Sequence, residues 1–222
     1  MGSKNRIAKD ILAIMQPEID KLGKYVEPFC GGCNMMDKVI CKDRWANDIN
    51  RYLIALFQMS QHRNSFDYVP KAIYDDVNRH RSDWDPWFVG YVGFICSFRG
   101  KFFGGYNGKV GIRNFQEEAK NNFLKQMFFL RGVKFTSMSY LDMEIHESVI
   151  YCDPPYQGTT QYKDSFDHSK FWDWCRKMNV DNKVFVSEYS APSDFKCVME
   201  KKILNNLRAG KANVVTEKIF TL

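Results

Sequence analysis

The sequence predicts an α/β fold built on an open, doubly wound sheet. Three short segments at 25–29, 44–48 and 149–152 are predicted to be strands. A glycine turn follows the first, the second ends in Asp48, and the third is followed by the polar corner 153–156. Ligands bind outside the carboxyl ends of strands in such sheets. A chain of 222 residues, 45% of them hydrophobic, can bury a core of this kind in one domain, with or without an insertion.

The corner Asp153-Pro154-Pro155-Tyr156 is suited to hold an exocyclic amine on a planar base. The lone pair of such an amine is delocalised into the ring, so the nitrogen becomes nucleophilic only when acceptors hold its hydrogens. The Asp153 carboxylate and the Pro154 carbonyl supply two acceptors, and the fixed φ of proline keeps them oriented. Tyr156 offers a stacking surface. The competing interpretation is an ordinary Pro-Pro turn after a strand.

The glycine turn indicates a nucleotide site. The segment Cys30-Gly31-Gly32-Cys33-Asn34 follows the first predicted strand, and we expect a helix over 35–40 with Asn34 as its N-cap. Glycine lets the backbone approach a ligand closely. Asp48 stands 17 positions after Gly31 (48 − 31), near the spacing of about 20 at which an acidic residue takes ribose hydroxyls in such folds.

Together these motifs resemble the Dam-like family of adenine-N6 DNA methyltransferases, many of them encoded by phages. The resemblance implies a Rossmann-like, S-adenosylmethionine-dependent methyltransferase sheet with Asp153, Pro154 and Tyr156 as the catalytic residues. An Asp at the first position of the motif favours adenine, since enzymes acting on cytosine usually carry Ser or Asn there. The family's Phe-x-Gly-x-Gly motif matches Phe29 and Gly31 but has Cys33 in place of its second glycine.

The resemblance also implies S-adenosylmethionine as the methyl donor. Its predicted contacts are Lys4, Phe29, Gly31, Gly32, Asn34, Asp48, Asp142 and Asp153. Gly32 is expected to supply the backbone freedom that Cys33 lacks. Lys4 is similar to a lysine that helps place the cofactor carboxylate; alternatively, Met-Gly-Ser is a cloning remnant and Lys4 is solvated. Asp142 is expected at the end of a strand over 139–143, near the cofactor's adenine, with an exposed turn as the alternative.

About a hundred residues separate the cofactor motif from the catalytic motif. We therefore expect a catalytic domain formed by 1–60 and 136–222, and an inserted DNA-recognition region at 61–135. Within it, Asn107-Gly108 predicts the turn of a β-hairpin. Four basic side chains around this turn are the predicted DNA contacts: Arg99, Lys101, Lys109 and Arg113. A solvated hairpin that reads no sequence is the alternative.

Composition agrees with a nucleic-acid partner. The net charge of +6, from 32 basic and 26 acidic residues, favours an anionic partner, here duplex DNA. Seven cysteines without a signal peptide predict reduced thiols and a cytosolic location, in a bacterium or a phage-infected host. Cys30 and Cys33 lack a second pair, so no metal site is expected. We also expect no membrane span and no obligate protein partner.

Two further segments are expected near the site. Residues 157–170 have the polar composition of a loop over the site, and Ser187-Glu188-Tyr189 resembles an element that lines the target pocket in relatives. The predicted activity is site-specific methylation of adenine N6 in duplex DNA with base flipping. An RNA adenine-N6 methyltransferase and a catalytically silent DNA-binding protein on the same fold are the alternatives.

Overall fold

A computed structural model describes residues 4–156, 166–205 and 213–222. Its helices are α1 (Ala8–Leu22), α2 (Arg51–Ser60), α3 (Lys71–Arg79), α4 (Pro86–Gly90), α5 (Phe115–Phe129) and α6 (His168–Met178). Its strands are β1 (Lys24–Glu27), β2 (Asp43–Asn47), β3 (Lys109–Val110), β4 (Arg113–Asn114), β5 (Lys134–Thr136), β6 (Val149–Cys152), β7 (Lys183–Glu188), β8 (Lys196–Asn205) and β9 (Asn213–Thr221). A five-residue π-helical segment, Tyr91–Ile95, continues α4.

Seven strands form one sheet in the order β5-β2-β1-β6-β7-β9-β8. β5, β2, β1, β6 and β7 are parallel, while β9 runs antiparallel to both β7 and β8. Alternate residues of a strand point to opposite faces of a sheet. Accordingly, Tyr25 and Tyr151 belong to one core cluster, and Val26 and Ile150 belong to another.

Helices cover both faces of this sheet. The buried residues of α1, α2 and α5 pack in the cluster that contains Tyr25, whereas those of α6 pack in the cluster that contains Ile150. From the neighbouring strands β1 and β6, the chain adds strands outward in opposite directions: β2 and β5 beyond β1, and β7 beyond β6. The boundary between β1 and β6 is therefore the topological switch point of the sheet. The predicted α/β sheet is confirmed, and its ligand crevice is expected outside the carboxyl ends of these two strands.

The helix predicted over 35–40 is wrong, because this segment forms turns. Gly31 and Cys33, just before this segment, have φ values of +47° and +55°, so the backbone turns there. The Gln126 amide of α5 donates to the Gly32 carbonyl at 2.9 Å and to the Cys33 carbonyl at 3.3 Å. A side chain distant in sequence thus fixes the turn that precedes the segment. The Asn34 carbonyl, which would accept the first hydrogen bond of the predicted helix, accepts instead from Lys38 Nζ at 2.7 Å.

The strand predicted over 139–143 is also wrong. Tyr140–Asp142 form one turn of 3₁₀-helix, and Asp142 is exposed. The Ser139 hydroxyl accepts a hydrogen bond from the Leu141 amide at 3.2 Å and caps this turn. Such local bonds from serine compete with an extended backbone. Asp142 therefore lies in the exposed turn that was the alternative at this position.

Residues 61–135 pack on the same core as the sheet. Phe123 of α5 stands 5.9 Å from Phe57 of α2 between ring centroids, and Phe57 in turn stacks on Phe135 of β5 at 5.1 Å. Phe66 and Tyr91 belong to this cluster as well. The described part of this region thus shares its apolar core with the catalytic sheet, and its separate role in recognition stays a prediction.

The predicted hairpin exists, but its turn is four residues further along, at 111–112 instead of 107–108. β3 and β4 pair as Val110 with Arg113, which places Gly111 and Ile112 in the loop; Gly111 has a φ of +59°. The Asn107 amide donates instead to the Cys96 carbonyl at 2.9 Å. A Cβ added to Gly108 would lie 2.4 Å from the Tyr106 ring, so this glycine is required for packing rather than for turning.

Phe123→Ala tests whether 61–135 and the sheet share one core. Phe123 is 7% exposed, so its truncation should lower the free energy of unfolding by about 3–5 kcal/mol within a single cooperative transition. Phe128→Ala makes the same change on the same helix at a side chain that is 61% exposed, and should cost about 0.5 kcal/mol or less. Thermal denaturation followed by circular dichroism measures both. A separate transition for α5 would contradict the shared core.

Candidate active site

The polar corner after β6 meets Lys4 in a buried cluster. Lys4 lies in a 3₁₀ turn, Lys4–Arg6, that precedes α1, and its side chain is 9% exposed. Its Nζ stands 3.3 Å from Asp153 Oδ1 and donates to the Tyr156 hydroxyl. The structure therefore brings together one predicted cofactor residue and two predicted catalytic residues.

Two further side chains complete this cluster from the other half of the sheet. Glu217 of β9 accepts from Lys4 Nζ at 3.0 Å and from the Tyr156 hydroxyl at 3.1 Å. The hydroxyls of Ser187 and Tyr156 are 2.8 Å apart. The sequence indicated Ser187 through its resemblance to the pocket-lining element, whereas Glu217 was assigned no site role, because it reaches this cluster through strand pairing.

Burial and charge act against each other in this cluster. Burial raises the pKa of Asp153, and the adjacent Lys4 ammonium opposes that rise. For Lys4, burial would lower the pKa, but the charges of Asp153 and Glu217 outweigh it and raise the pKa overall. Burial raises the pKa of Tyr156 far above its ordinary value. Lys4 therefore stays charged and Tyr156 stays a hydroxyl donor at neutral pH.

A second buried carboxyl group lies across the switch point. Glu27 ends β1 and is 3% exposed, with the Tyr25 hydroxyl donating to its Oε1 at 2.9 Å. Burial raises the pKa of Glu27 to about 8, opposed by the Tyr25 hydrogen bond and assisted by the charge of Asp153. Our sequence analysis did not assign it a role. The signal was present, since an acidic residue in an apolar strand next to a glycine turn is costly to bury without a function.

Asp48 holds the glycine turn in place. Its Oδ2 accepts from the Gly31 amide at 3.0 Å, and its Oδ1 accepts from the Asn50 amide at 2.9 Å. Burial raises the pKa of Asp48, and these two hydrogen bonds oppose the rise. Each carboxylate oxygen keeps acceptor capacity beyond one bond. Asp48 can therefore fix the turn and still accept from a ligand hydroxyl.

The second half of the turn differs from expectation. Gly32 was expected to supply the missing glycine freedom, but Cys33 itself adopts the left-handed conformation, with a φ of +55°. A Cβ added to Gly32 would instead lie 2.9 Å from Asn34 Nδ2, so Gly32 provides room for that side chain. The Asn34 Oδ1 accepts from Asn5 Nδ2 at 3.1 Å, which joins the turn to the segment that carries Lys4.

Phe29 packs on the face of the sheet that α6 covers, whereas Asp142 lies in an exposed turn. The Phe29 ring packs 5.1 Å from Tyr140 and 5.7 Å from Phe171 between centroids. Asp142 follows in the same turn as Tyr140 but projects from an exposed position. Phe29 thus lies beside the glycine turn. Asp142 lies two residues after Tyr140, whose ring contacts Phe29.

The predicted DNA contacts form no hydrogen bond with the buried cluster. Arg99, Lys101, Lys109 and Arg113 are all exposed. Arg113 is engaged, since its guanidinium binds Glu118 with two hydrogen bonds of 3.1 Å and 2.8 Å. Arg99 stands in a tight turn with a φ of +55°. Residues 157–165 of the predicted loop lie outside the described residues, whereas 168–170 form the first turn of α6, capped by Asp167.

Within the described ranges, no helix is long and apolar enough to cross a membrane. In those same parts of the chain, no group of three or more His, Cys, Asp or Glu side chains is placed to hold a metal ion.

A comparison with known protein families matches the first part of the chain. Residues 1–83 match the family model of the D12 class N6 adenine-specific DNA methyltransferases. The matched segment contains Lys4, Glu27, the glycine turn and Asp48, while the corner at 153–156 lies outside it. The match confirms the resemblance to Dam-like adenine methyltransferases, with methyl transfer as the reaction and S-adenosylmethionine as the donor.

No curated protein matches the sequence. Among solved structures, the chain resembles a "putative RNA methyltransferase" from Pyrococcus horikoshii, with a TM-score of 0.47, 10% identity, and coverage of 96% of this chain and 81% of that one. It also resembles SMU.472, a "putative methyltransferase" complexed with SAH, with a TM-score of 0.34, 12% identity, and coverage of 89% and 47%.

Asp48→Ala should weaken S-adenosylmethionine binding. Loss of a hydrogen bond to a charged group corresponds to about 1.5–3 kcal/mol, and DNA affinity should change little. Calorimetry on the isolated protein measures the cofactor affinity. Asp142→Ala is the matched comparison, because it removes the same carboxylate from an exposed turn. A loss of affinity in Asp142→Ala with none in Asp48→Ala would move the ribose contact to Asp142.

Proposed function

We propose that the protein methylates N6 of adenine in duplex DNA, using S-adenosylmethionine and a flipped-out target base. The observation that carries this proposal is the position of Asp153, Pro154 and Tyr156. They follow β6 at the switch point of the sheet, beside β1 and the glycine turn that ends it. An amine held there lies next to a cofactor bound over the same edge.

The residues around the glycine turn fit the cofactor. We propose that Asp48 accepts from the ribose hydroxyls of the cofactor. Gly31, Gly32 and Asn34 would contact the cofactor through the glycine turn, and Phe29 would pack against it. When bound, S-adenosylmethionine supplies an electrophilic methyl group on a positively charged sulfur. The buried carboxyl of Glu27, with its pKa of about 8, suits a cationic ligand, because an adjacent positive charge favours its ionised form.

Asp153 and the Pro154 carbonyl would orient the amine. Hydrogen bonds from both amine hydrogens to these acceptors direct the nitrogen lone pair toward the methyl group, with little reorganisation because the prolines are rigid. The Asp153 side chain is only 24% exposed, so these hydrogen bonds form in a medium of low polarity, where they are stronger than in water. Direct transfer to nitrogen needs no covalent protein intermediate.

Tyr156 would support the flipped base. Its hydroxyl is fixed by Lys4, Glu217 and Ser187, which leaves the ring in one orientation. Tyr189, 41% exposed, meets this ring edge to face at 4.7 Å between centroids. The target amine is buried in a base pair within duplex DNA, so the base must leave the stack before it can reach this corner.

Asp153→Ala should abolish methyl transfer and leave cofactor affinity within about 3-fold, because the carboxylate acts on the base. Asp153→Asn keeps an acceptor without charge and should retain partial activity. Asp173→Ala, an exposed carboxylate on α6, is the control and should behave as wild type. Labelled methyl transfer to DNA measures all three. Near wild-type turnover in Asp153→Ala would overturn the mechanism.

Competition of duplex DNA against RNA in the same assay tests the substrate. We expect transfer to DNA to be unaffected by excess RNA. Preferred transfer to RNA would instead support an RNA adenine methyltransferase. Binding of DNA without any transfer would support the catalytically silent alternative.

The basic side chains of the hairpin region should divide into two kinds. Lys101→Ala or Lys109→Ala should weaken binding to every sequence and reduce the salt dependence by about one unit of slope. Arg99→Ala should cost about 1–3 kcal/mol on the preferred site alone, as expected for an arginine that reads a base. Arg113→Ala should act the same way only if Arg113 leaves Glu118. Filter binding at several salt concentrations separates these effects, and unchanged affinity in every variant would place recognition elsewhere in 61–92.

A further inference from the structure

We propose that Glu217 is a positioning residue of this active site: it shares the Lys4 ammonium with Asp153 and so leaves Asp153 enough free charge to accept the target amine. This inference rests on the proposed function. It concerns a residue on the strand β9, outside every motif that the sequence analysis identified.

The geometry places Lys4 between two carboxylates. Its Nζ is 3.0 Å from Glu217 Oε2 and 3.3 Å from Asp153 Oδ1, so Glu217 is the closer of the two partners. The side chains of Lys4 and Glu217 are 9% and 11% exposed, and Asp153 is more open, at 24%. Glu217 also accepts from the Tyr156 hydroxyl. One carboxylate thus fixes Lys4, which contacts Asp153, and Tyr156, which is proposed to support the base.

Sharing Lys4 with Glu217 makes Asp153 a better acceptor for the target amine. A carboxylate paired with a whole positive charge is a weaker acceptor for an incoming amine than one that shares the cation. With Glu217 ionised, Lys4 divides its charge between two acceptors. Without that charge, Lys4 would pair with Asp153 alone and compete with the amine for its oxygens.

Other polar groups around this cluster do not replace Glu217. They are the hydroxyls of Tyr151, Tyr156, Ser187 and Tyr189, the carboxyl of Glu27, and Lys201, which lies opposite Glu217 on β8. The hydroxyls carry no charge, and Glu27 holds its proton below about pH 8. Lys201 pairs with Asp10 at 2.5 Å. Among the described residues, Glu217 and Asp153 are thus the two carboxylates within ion-pair distance of Lys4.

The sign of the pH effect follows from these charges. Glu217→Gln removes a like charge from the surroundings of Asp153, which lowers the pKa of Asp153. The same change removes one of the two carboxylates that raise the pKa of Lys4, so this pKa falls as well. Both limbs of a pH–kcat profile should therefore shift toward lower pH. A purely structural role would lower kcat without moving either limb.

The experiment compares pH–kcat profiles of wild type, Glu217→Gln and Glu217→Asp on duplex DNA. Glu217→Gln should lower kcat about 10-fold or more and shift both limbs down by about half a pH unit, with cofactor affinity within about 3-fold. Glu217→Asp keeps the charge and should restore the limbs. Glu200→Gln, on the neighbouring strand and paired only loosely with Lys218 at 3.7 Å, is the matched control and should match wild type.

A measurement without substrate separates this proposal from the proposed function. The ¹⁵N signal of the Lys4 ammonium should titrate at lower pH in Glu217→Gln than in wild type. Unmoved limbs together with an unmoved Lys4 titration overturn the role of Glu217. Absence of transfer by wild type to any nucleic acid rejects the proposed function instead, and the Lys4 titration then decides the role of Glu217 by itself.

Discussion

The buried amide of Asn47 holds the ligand edge of the sheet together. Asn47 ends β2 and is fully buried, and its Nδ2 donates to the carbonyls of Pro28 at 3.1 Å and Met138 at 3.0 Å. Its Oδ1 accepts from the Thr136 hydroxyl at 2.9 Å and from the Met138 amide at 3.1 Å. The chain leaves all parallel strands at the same edge of a sheet, and there the backbone N–H and C=O groups lose their hydrogen-bond partners on the neighbouring strands. One side chain satisfies these groups after both β1 and β5, so the glycine turn and the turn before Asp142 keep a fixed separation.

Charge is distributed unevenly across this edge. Asp153 and Glu217 share the buried cation Lys4, whereas Asp48 is bound by two backbone amides and Glu27 is held as a neutral acid by burial. Isolated buried anions are costly, and a protein retains them where a ligand or partner supplies the compensating charge. A cofactor with a positively charged sulfur meets that requirement. Because methyl transfer removes the positive charge from sulfur, the same excess of carboxylates favours the cofactor over its product.

The parts of the fold that the sequence predicted are those in which local pattern and tertiary environment agree. The strand over 149–152 is buried on both faces and has the predicted bounds, and the strand expected over 44–48 is β2, Asp43–Asn47. The segment 35–40 forms turns instead of a helix, and Gln126 of α5, more than ninety positions later, binds the carbonyls of the turn that precedes it. Asn107-Gly108 does not form the turn, because the Asn107 amide binds the Cys96 carbonyl at 2.9 Å and the hairpin turns at 111–112. Neither contact is visible in a local window of sequence.

The same reasoning explains which site residues were accessible to prediction. Asp153, Tyr156 and Asp48 follow strands directly, so a pattern of apolar run and polar end identifies them. Glu217 reaches the site only through the antiparallel pairing of β9 with β7, where Glu188 faces Lys218 and Ser187 faces Ile219. Its partner Lys4 stands 213 positions away in the chain. The cluster therefore exists only when both segments are docked on the sheet. Local opening of the Lys4–Arg6 turn would leave Asp153 and Glu217 as unpaired buried carboxylates, which raises the free energy of the opened state and couples the order of this turn to the integrity of the catalytic corner.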